Sequence, residues 1–206
     1  MNTIIAGCFG GVLAVFVKPH VVGTYSFVTR YDCVALCGGF LAGLVAVSGT
    51  CDQIEPWAGM IIGCIGAMFY ILGCKILDVL HIDDPCEGVS IHLMGGIWGT
   101  IATGLFNNKH GLFYGSDDCW TFFGNQLLGM IAIIAWVVVT TLPIFLFIHK
   151  MGYFRIDKSI EVIGLDIAEM GGLSEELYEK LRNELPNSSI NLAKMENSNF
   201  DTNSQM

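Results

Sequence analysis

The sequence predicts an all-α, polytopic membrane helix bundle of about five transmembrane helices followed by a cytoplasmic tail. Three observations lead there. Of the 206 residues, 53% are apolar and only 14% are charged, against roughly a quarter charged in ordinary soluble domains. About half of the acidic and basic residues lie beyond Lys150, which leaves the preceding region depleted of charge. That region alternates long apolar stretches with short polar breaks, as a chain must where lipid is the solvent.

The elements follow in order. A first helix is predicted from about Asn2 to Val17, stopped at Lys18-Pro19 because proline interrupts helix propagation. A second covers about Cys33 to Val47 and breaks at Ser48-Gly49. A third starts at Pro56, a favourable first-turn residue, and reaches about Leu77. The fourth runs from about Gly88 to Phe106, and the fifth from about Trp120 to His149 with Pro143 as a tolerated kink site. The fifth is longer than a bilayer core and must tilt or protrude. The GxxxG pairs Gly39/Gly43 and Gly59/Gly63, with Gly95, Gly96 and Gly99 on the fourth helix, suit close backbone contact in lipid. They predict a compact bundle and say nothing of what it conducts.

Beyond the fifth helix the character changes. The expected division is a membrane bundle over residues 1–150, a cytoplasmic regulatory tail over 151–186 and a disordered end over 187–206. Within the tail, Ser174 to Leu185 reads as a short amphipathic helix with a serine cap and acids in its first turn, ended by Pro186. The remainder is rich in Asn and Ser with few apolar anchors.

Loop charges predict the orientation. Lys18, Arg30 and Lys75, then Lys150, Arg155 and Lys158, collect on one side; Lys109 stands alone on the other with Asp52, Glu55, Asp117 and Asp118. The positive-inside rule then places the C-terminus in the cytosol. The first apolar run has no basic segment before it, which argues against a cleaved signal peptide.

Composition also excludes several classes. The net charge of −9 comes largely from the tail and short loops and argues against nucleic acid as a partner. Eight cysteines show no CxxC pair with zinc-like spacing. Cys8, Cys33, Cys37, Cys64 and Cys74 sit in or beside apolar stretches, where cysteine acts as a small hydrophobe. Cys51 and Cys119 fall in breaks between spans where a bridge could form, and free thiols are the expected state. No metal or cofactor is expected, and no nucleophile–base pair marks an enzyme.

His92 is the most informative position. It stands about one turn into an apolar helix, and an ionisable side chain at membrane depth is costly and usually faces the bundle interior or a cavity. Neutral imidazole offers one donor and one acceptor, and titrates near neutrality. A structural histidine satisfied by a neighbouring carbonyl is the alternative, and periodicity alone leaves both open. Asp83, Asp84 and Glu87 precede the helix and read as capping carboxylates at its positive dipole end. Ser48 and Thr50 line a vestibule or cap helix ends. Trp57 and Trp120 suit the aromatic belt, whereas Trp98 reads as packing.

Taken together, Asp83-Asp84-Pro85, His92, Gly95, Gly96, Trp98 and Gly99 resemble the penultimate membrane helix of the ammonium transporter family. Asn2-Thr3 is similar to the start of that family's seventh helix, and Phe40 to Ala46, Pro56-Trp57 and Gly63 to its eighth and ninth. Gly164, Asp166, Glu169 and Gly171 resemble its cytoplasmic tail motif. The ordered set spans roughly residues 2 to 173.

The resemblance implies an eleven-helix protomer of inverted repeats, a homotrimer with one pore per subunit, and His92 as the second of two pore histidines. It implies ammonium or ammonia as the partner, with ammonium losing its proton before a neutral species passes an apolar pore, since a bare cation there is very unfavourable. The tail motif implies regulation; Ala168 stands where plant-type members carry a phosphorylatable threonine, and Glu87 stands where aspartate is usual. The chain would begin at the seventh family helix, placing the first pore histidine upstream of Met1. The isolated product is then expected to be inactive. Nitrogen uptake at the plasma membrane is the leading reading; a non-transporting sensor, assembly partner or degenerate product is the other.

Overall fold

A computed structural model of the protein describes residues 1–22 and 32–155. Five α-helices account for most of them: α1 (Asn2–Val21), α2 (Cys33–Val47), α3 (Pro56–Leu80), α4 (Gly95–Phe106) and α5 (Cys119–Lys150). A π-helical segment, Val89–Met94, runs directly into α4, and a short 3-10 turn, Leu112–Tyr114, follows it. The described residues contain no strand. Four stretches are long and apolar enough to cross a membrane: Asn2–Val21, Pro56–Leu80, Val89–Phe106 and Cys119–Lys150. Cys33–Val47 is apolar but shorter. The chain is an integral membrane protein.

Local chemistry sets most boundaries. The Asp32 carboxylate accepts from the Val34 N–H at 2.9 Å and opens α2. Pro56 occupies the first turn of α3, where its missing N–H costs nothing. At the other end of α3, His81 takes a left-handed conformation (φ 56°), and the N–H groups of His81 and Ile82 return to Asp78 and Leu77. One boundary corrects the sequence expectation: α1 does not stop at Lys18-Pro19 but carries Pro19 inside its last turn and ends at Val21. Proline there forfeits one backbone hydrogen bond, a loss that the packing of the preceding turn tolerates.

The chain divides into two compact units, Met1–Val137 and Val138–Met206. In the first, small residues bring backbones together. A Cβ on Gly63 would meet the Ala6 carbonyl oxygen at 2.1 Å, and one on Gly43 would meet the same oxygen at 2.4 Å. One on Gly39 would meet the Ala14 Cβ at 2.3 Å. The two GxxxG pairs therefore lie at contacts of α1 with α2 and α3. Around this seam the core is Ala6, Ala46, Ile62, Trp98 and Ala102 on one side and Ala14, Ala42, Ala67, Tyr70 and Ile91 on the other. In the second unit, the Phe154 ring meets Phe145 and His149 edge-on at 5.8 and 5.9 Å.

All eight cysteines are free thiols, Cys51 and Cys119 included. The tail positions Gly164, Asp166, Ala168, Glu169 and Gly171, the stretch from Ser174 to Leu185 and the region 187–206 lie outside the described residues, as do Arg30 and Lys158.

Candidate functional site at the start of the fourth span

His92 sits in the middle of the π-helical segment Val89–Met94. Its side chain is exposed on the surface of the described bundle, while its neighbours Ser90 and Ile91 are buried. One helical turn further, a Cβ on Gly96 would meet nothing within 4 Å, so the element is still uncovered at that position. Single π turns inside α-helices insert an extra residue and are frequent at functional sites. The polar ring thus lies on an uncovered side of an apolar spanning element.

The carboxylates before this segment divide their roles. Asp84 accepts from the N–H groups of Gly88 and Val89 at 2.9 Å each and of Ser90 at 3.4 Å, supplying the acceptors that the first turn lacks. Glu87 does not cap, against the sequence expectation. Its carboxylate accepts from the Lys18 ammonium and the Tyr70 hydroxyl, and its backbone takes a left-handed conformation (φ 52°). Lys18 also donates to the Tyr70 oxygen at 2.6 Å and lies 4.9 Å from the centroid of that ring. Asp83, expected as a third capping acid, lies just outside the segment with an exposed side chain.

Lys18 is therefore not a loop cation. It is 1% exposed, inside the bundle at the end of α1, and its charge does not belong in the tally of loop charges. Nothing in its immediate sequence showed this. The one available signal was general: an ionisable residue next to a membrane helix needs a partner, and Glu87, read from the sequence as a cap, was an acidic group near the end of a neighbouring span.

The Ser48 hydroxyl donates to the Val45 carbonyl at 2.6 Å at the end of α2 and is exposed. Thr50 is buried, and its hydroxyl has no hydrogen-bond partner among the described residues. Trp98 is buried, donates to the Ile62 carbonyl at 3.0 Å and stacks on Phe69 at 5.6 Å, which makes it a packing residue. The Asn2 amide donates to the Cys51 and Ile54 carbonyls at 3.0 and 2.8 Å, tying the start of α1 to the loop between α2 and α3. His92 does not join Ser48 in one cluster: the two lie at opposite ends of their spans.

Comparison with known proteins bears on this arrangement. A sequence profile described as the Ammonium Transporter Family matches residues 1–174. The chain is 33% identical over 190 residues to ammonium transporter 1 member 3 of Solanum lycopersicum, covering 84% of this chain and 39% of that protein. It is 33% identical over 189 residues to ammonium transporter 1 member 1 of Arabidopsis thaliana, covering 84% and 36%. Among solved structures, a protein described as a Sensor Amt Protein superposes with a TM-score of 0.67 at 28% identity, covering 82% of this chain and 40% of that one. Candida albicans Mep2 superposes with a TM-score of 0.65 at 26% identity, covering 76% and 36%. The chain spans less than two-fifths of the length of these two plant relatives.

Proposed function

Since this chain belongs to the ammonium transporter family, we propose that it forms part of the wall of a pore that carries ammonium or ammonia across a membrane, with His92 as a pore-lining imidazole. One observation carries the proposal: His92 is an exposed, titratable side chain on the open side of an otherwise apolar spanning element, in a π-helical segment. Facing lipid, such a group costs about 2.5 kcal/mol or more by the scale for charged residues, and less when neutral. Facing a narrow passage, the ring can exchange hydrogen bonds with a small polar solute and accept or return a proton.

The open side also bears on what completes the pore. Helices other than the five described ones would supply the opposite wall, so the 206-residue chain alone is not expected to conduct. The homotrimer, the plasma membrane, the cytosolic C-terminus and the regulatory role of Gly164, Asp166, Glu169 and Gly171 belong to the same proposal. They rest on the family resemblance and, for orientation, on the basic residues near the span ends. Ser48 enters it as a helix-end residue at the opposite side of the membrane from the start of the fourth span.

Uptake of labelled methylammonium by a protein containing this segment tests the reading. His92→Ala should lower uptake or alter the charge moved per substrate; unchanged values of both reject the pore assignment. The isolated chain in proteoliposomes should show no uptake, and robust uptake there would overturn that part. A sensing role is the second reading, favoured by the structural likeness to a protein described as a sensor. A complete protein that binds methylammonium without moving it would select it.

A further inference from the structure

The densest buried polar cluster in the described residues does not include His92. Lys18 from α1, Tyr70 from α3 and Glu87 from the turn before the π-helical segment meet in one hydrogen-bonded cluster. Tyr70 is fully buried and its hydroxyl reaches over α2, where a Cβ on Gly38 would lie 2.3 Å from it. We propose that Lys18 and Tyr70 are positioning residues for His92, acting through Glu87 to hold the π-helical turn that directs the ring to the open side. The proposal rests on reading His92 as the functional side chain.

The linkage runs through consecutive bonds. Glu87 is a non-glycine residue in a left-handed conformation (φ 52°), which such residues adopt only when surroundings impose it. Its carboxylate is anchored from two helices, and its backbone carbonyl accepts from the Ile91 N–H at 2.8 Å, one residue before His92. Asp84 fixes the next three N–H groups from the other side. The segment is also clasped laterally: a Cβ on Gly73 of α3 would lie 3.1 Å from the Ser90 Cα.

A π turn needs such restraint because regular α-helical bonding is intrinsically preferred. If the segment relaxed to α-helix, the extra residue would be absorbed, and every side chain before it would turn by about 100° relative to α4. His92 would then leave the line it shares with Gly96. The cluster at Lys18 thereby decides which face the imidazole presents. A plain structural weld between α1, α3 and the fourth span would instead affect folding and leave the ring of the folded protein where it was.

The test reads His92 directly. The full chain in lipid nanodiscs is treated with diethyl pyrocarbonate, and modification of His92 is followed by mass spectrometry with His110 as internal reference. Two variants avoid stranding a buried charge: Tyr70→Phe, which keeps the ring, and the neutral double variant Lys18→Met/Glu87→Gln. Folded protein of either variant should show a His92 rate changed by about threefold or more, with His110 unchanged, as expected for residues in one coupled network. Wild-type His92 rates in both overturn the proposal; so does failure of both to give folded protein, because it makes the cluster a folding weld.

Methylammonium kinetics in a complete protein separate this from the pore reading. The double variant should lower the maximal rate with KM changed by less than about twofold, since the network touches no substrate at the entrance. If His92 reactivity shifts while neither His92→Ala nor the double variant alters uptake, the pore reading fails and the positioning role stands. If reactivity stays at the wild-type value, positioning fails whatever uptake does.

Discussion

Two glycines at the residue scale separate close packing from open space. Gly63 is pressed against α1, where an added methyl would meet the Ala6 carbonyl oxygen at 2.1 Å. That oxygen belongs to helix backbone and cannot swing aside, so Gly63→Ala should destabilise the bundle by about 1–3 kcal/mol through overpacking. Thermal unfolding in lipid nanodiscs would measure it, and an unchanged midpoint would show that α1 is not held this closely. Gly96 is the opposite case, with nothing within 4 Å of its added Cβ. Gly96→Leu should change stability by no more than about 0.5 kcal/mol. If the open side is the pore, that variant should nonetheless block methylammonium uptake. Full uptake would place the passage elsewhere.

Among the elements, the fourth span depends most on its entry. Asp84 supplies acceptors to three consecutive N–H groups, so Asp84→Ala should cost about 0.5–2 kcal/mol, the usual range for losing a capping side chain. Hydrogen exchange at Gly88, Val89 and Ser90 should quicken while α4 beyond Gly95 stays protected. Equal acceleration throughout the span would mean that the π-helical segment and α4 open together. The helices also differ in reach. The 15 residues of α2 extend about 22 Å, short of a bilayer core of about 30 Å, whereas the 32 of α5 extend about 48 Å. The short element packs one face against α1, α3 and α4 through Ala42, Ala46 and Val47, while Val34, Leu36 and Leu41 on its other face are exposed.

Topology at the scale of the whole molecule puts the loop with Asp84 and Glu87 on the same side of the first unit as the end of α1. Cys86, an exposed thiol in that loop, therefore reports orientation. With this loop on the cytosolic side, an impermeant maleimide should label Cys86 only after the cytosolic face is opened. Labelling from outside intact cells would reverse the orientation. Removing Lys18 from the loop charges leaves Lys75 on this side of the first unit against Lys109 on the other, so the asymmetry behind the expectation rests on Lys150 and the basic residues after it.

The amino-acid sequence determined by itself whatever depends on neighbours along the chain. Apolar runs fixed the membrane class and the number of helices; Asp32 and Pro56 marked where α2 and α3 begin; the ordered motifs pointed to the family. His92 was legible because a titratable residue inside an apolar run is conspicuous without any partner. The tertiary structure alone decided what depends on residues far apart. Lys18 and Glu87 are 69 positions apart, and each in isolation resembles an ordinary loop or capping charge. Only packing of α1 and α3 against the fourth span removes them from water, and burial obliges each to find the other. The role of Glu87 has that cause: a capping preference of about a kcal/mol gives way to the larger cost of leaving a buried charge unpaired.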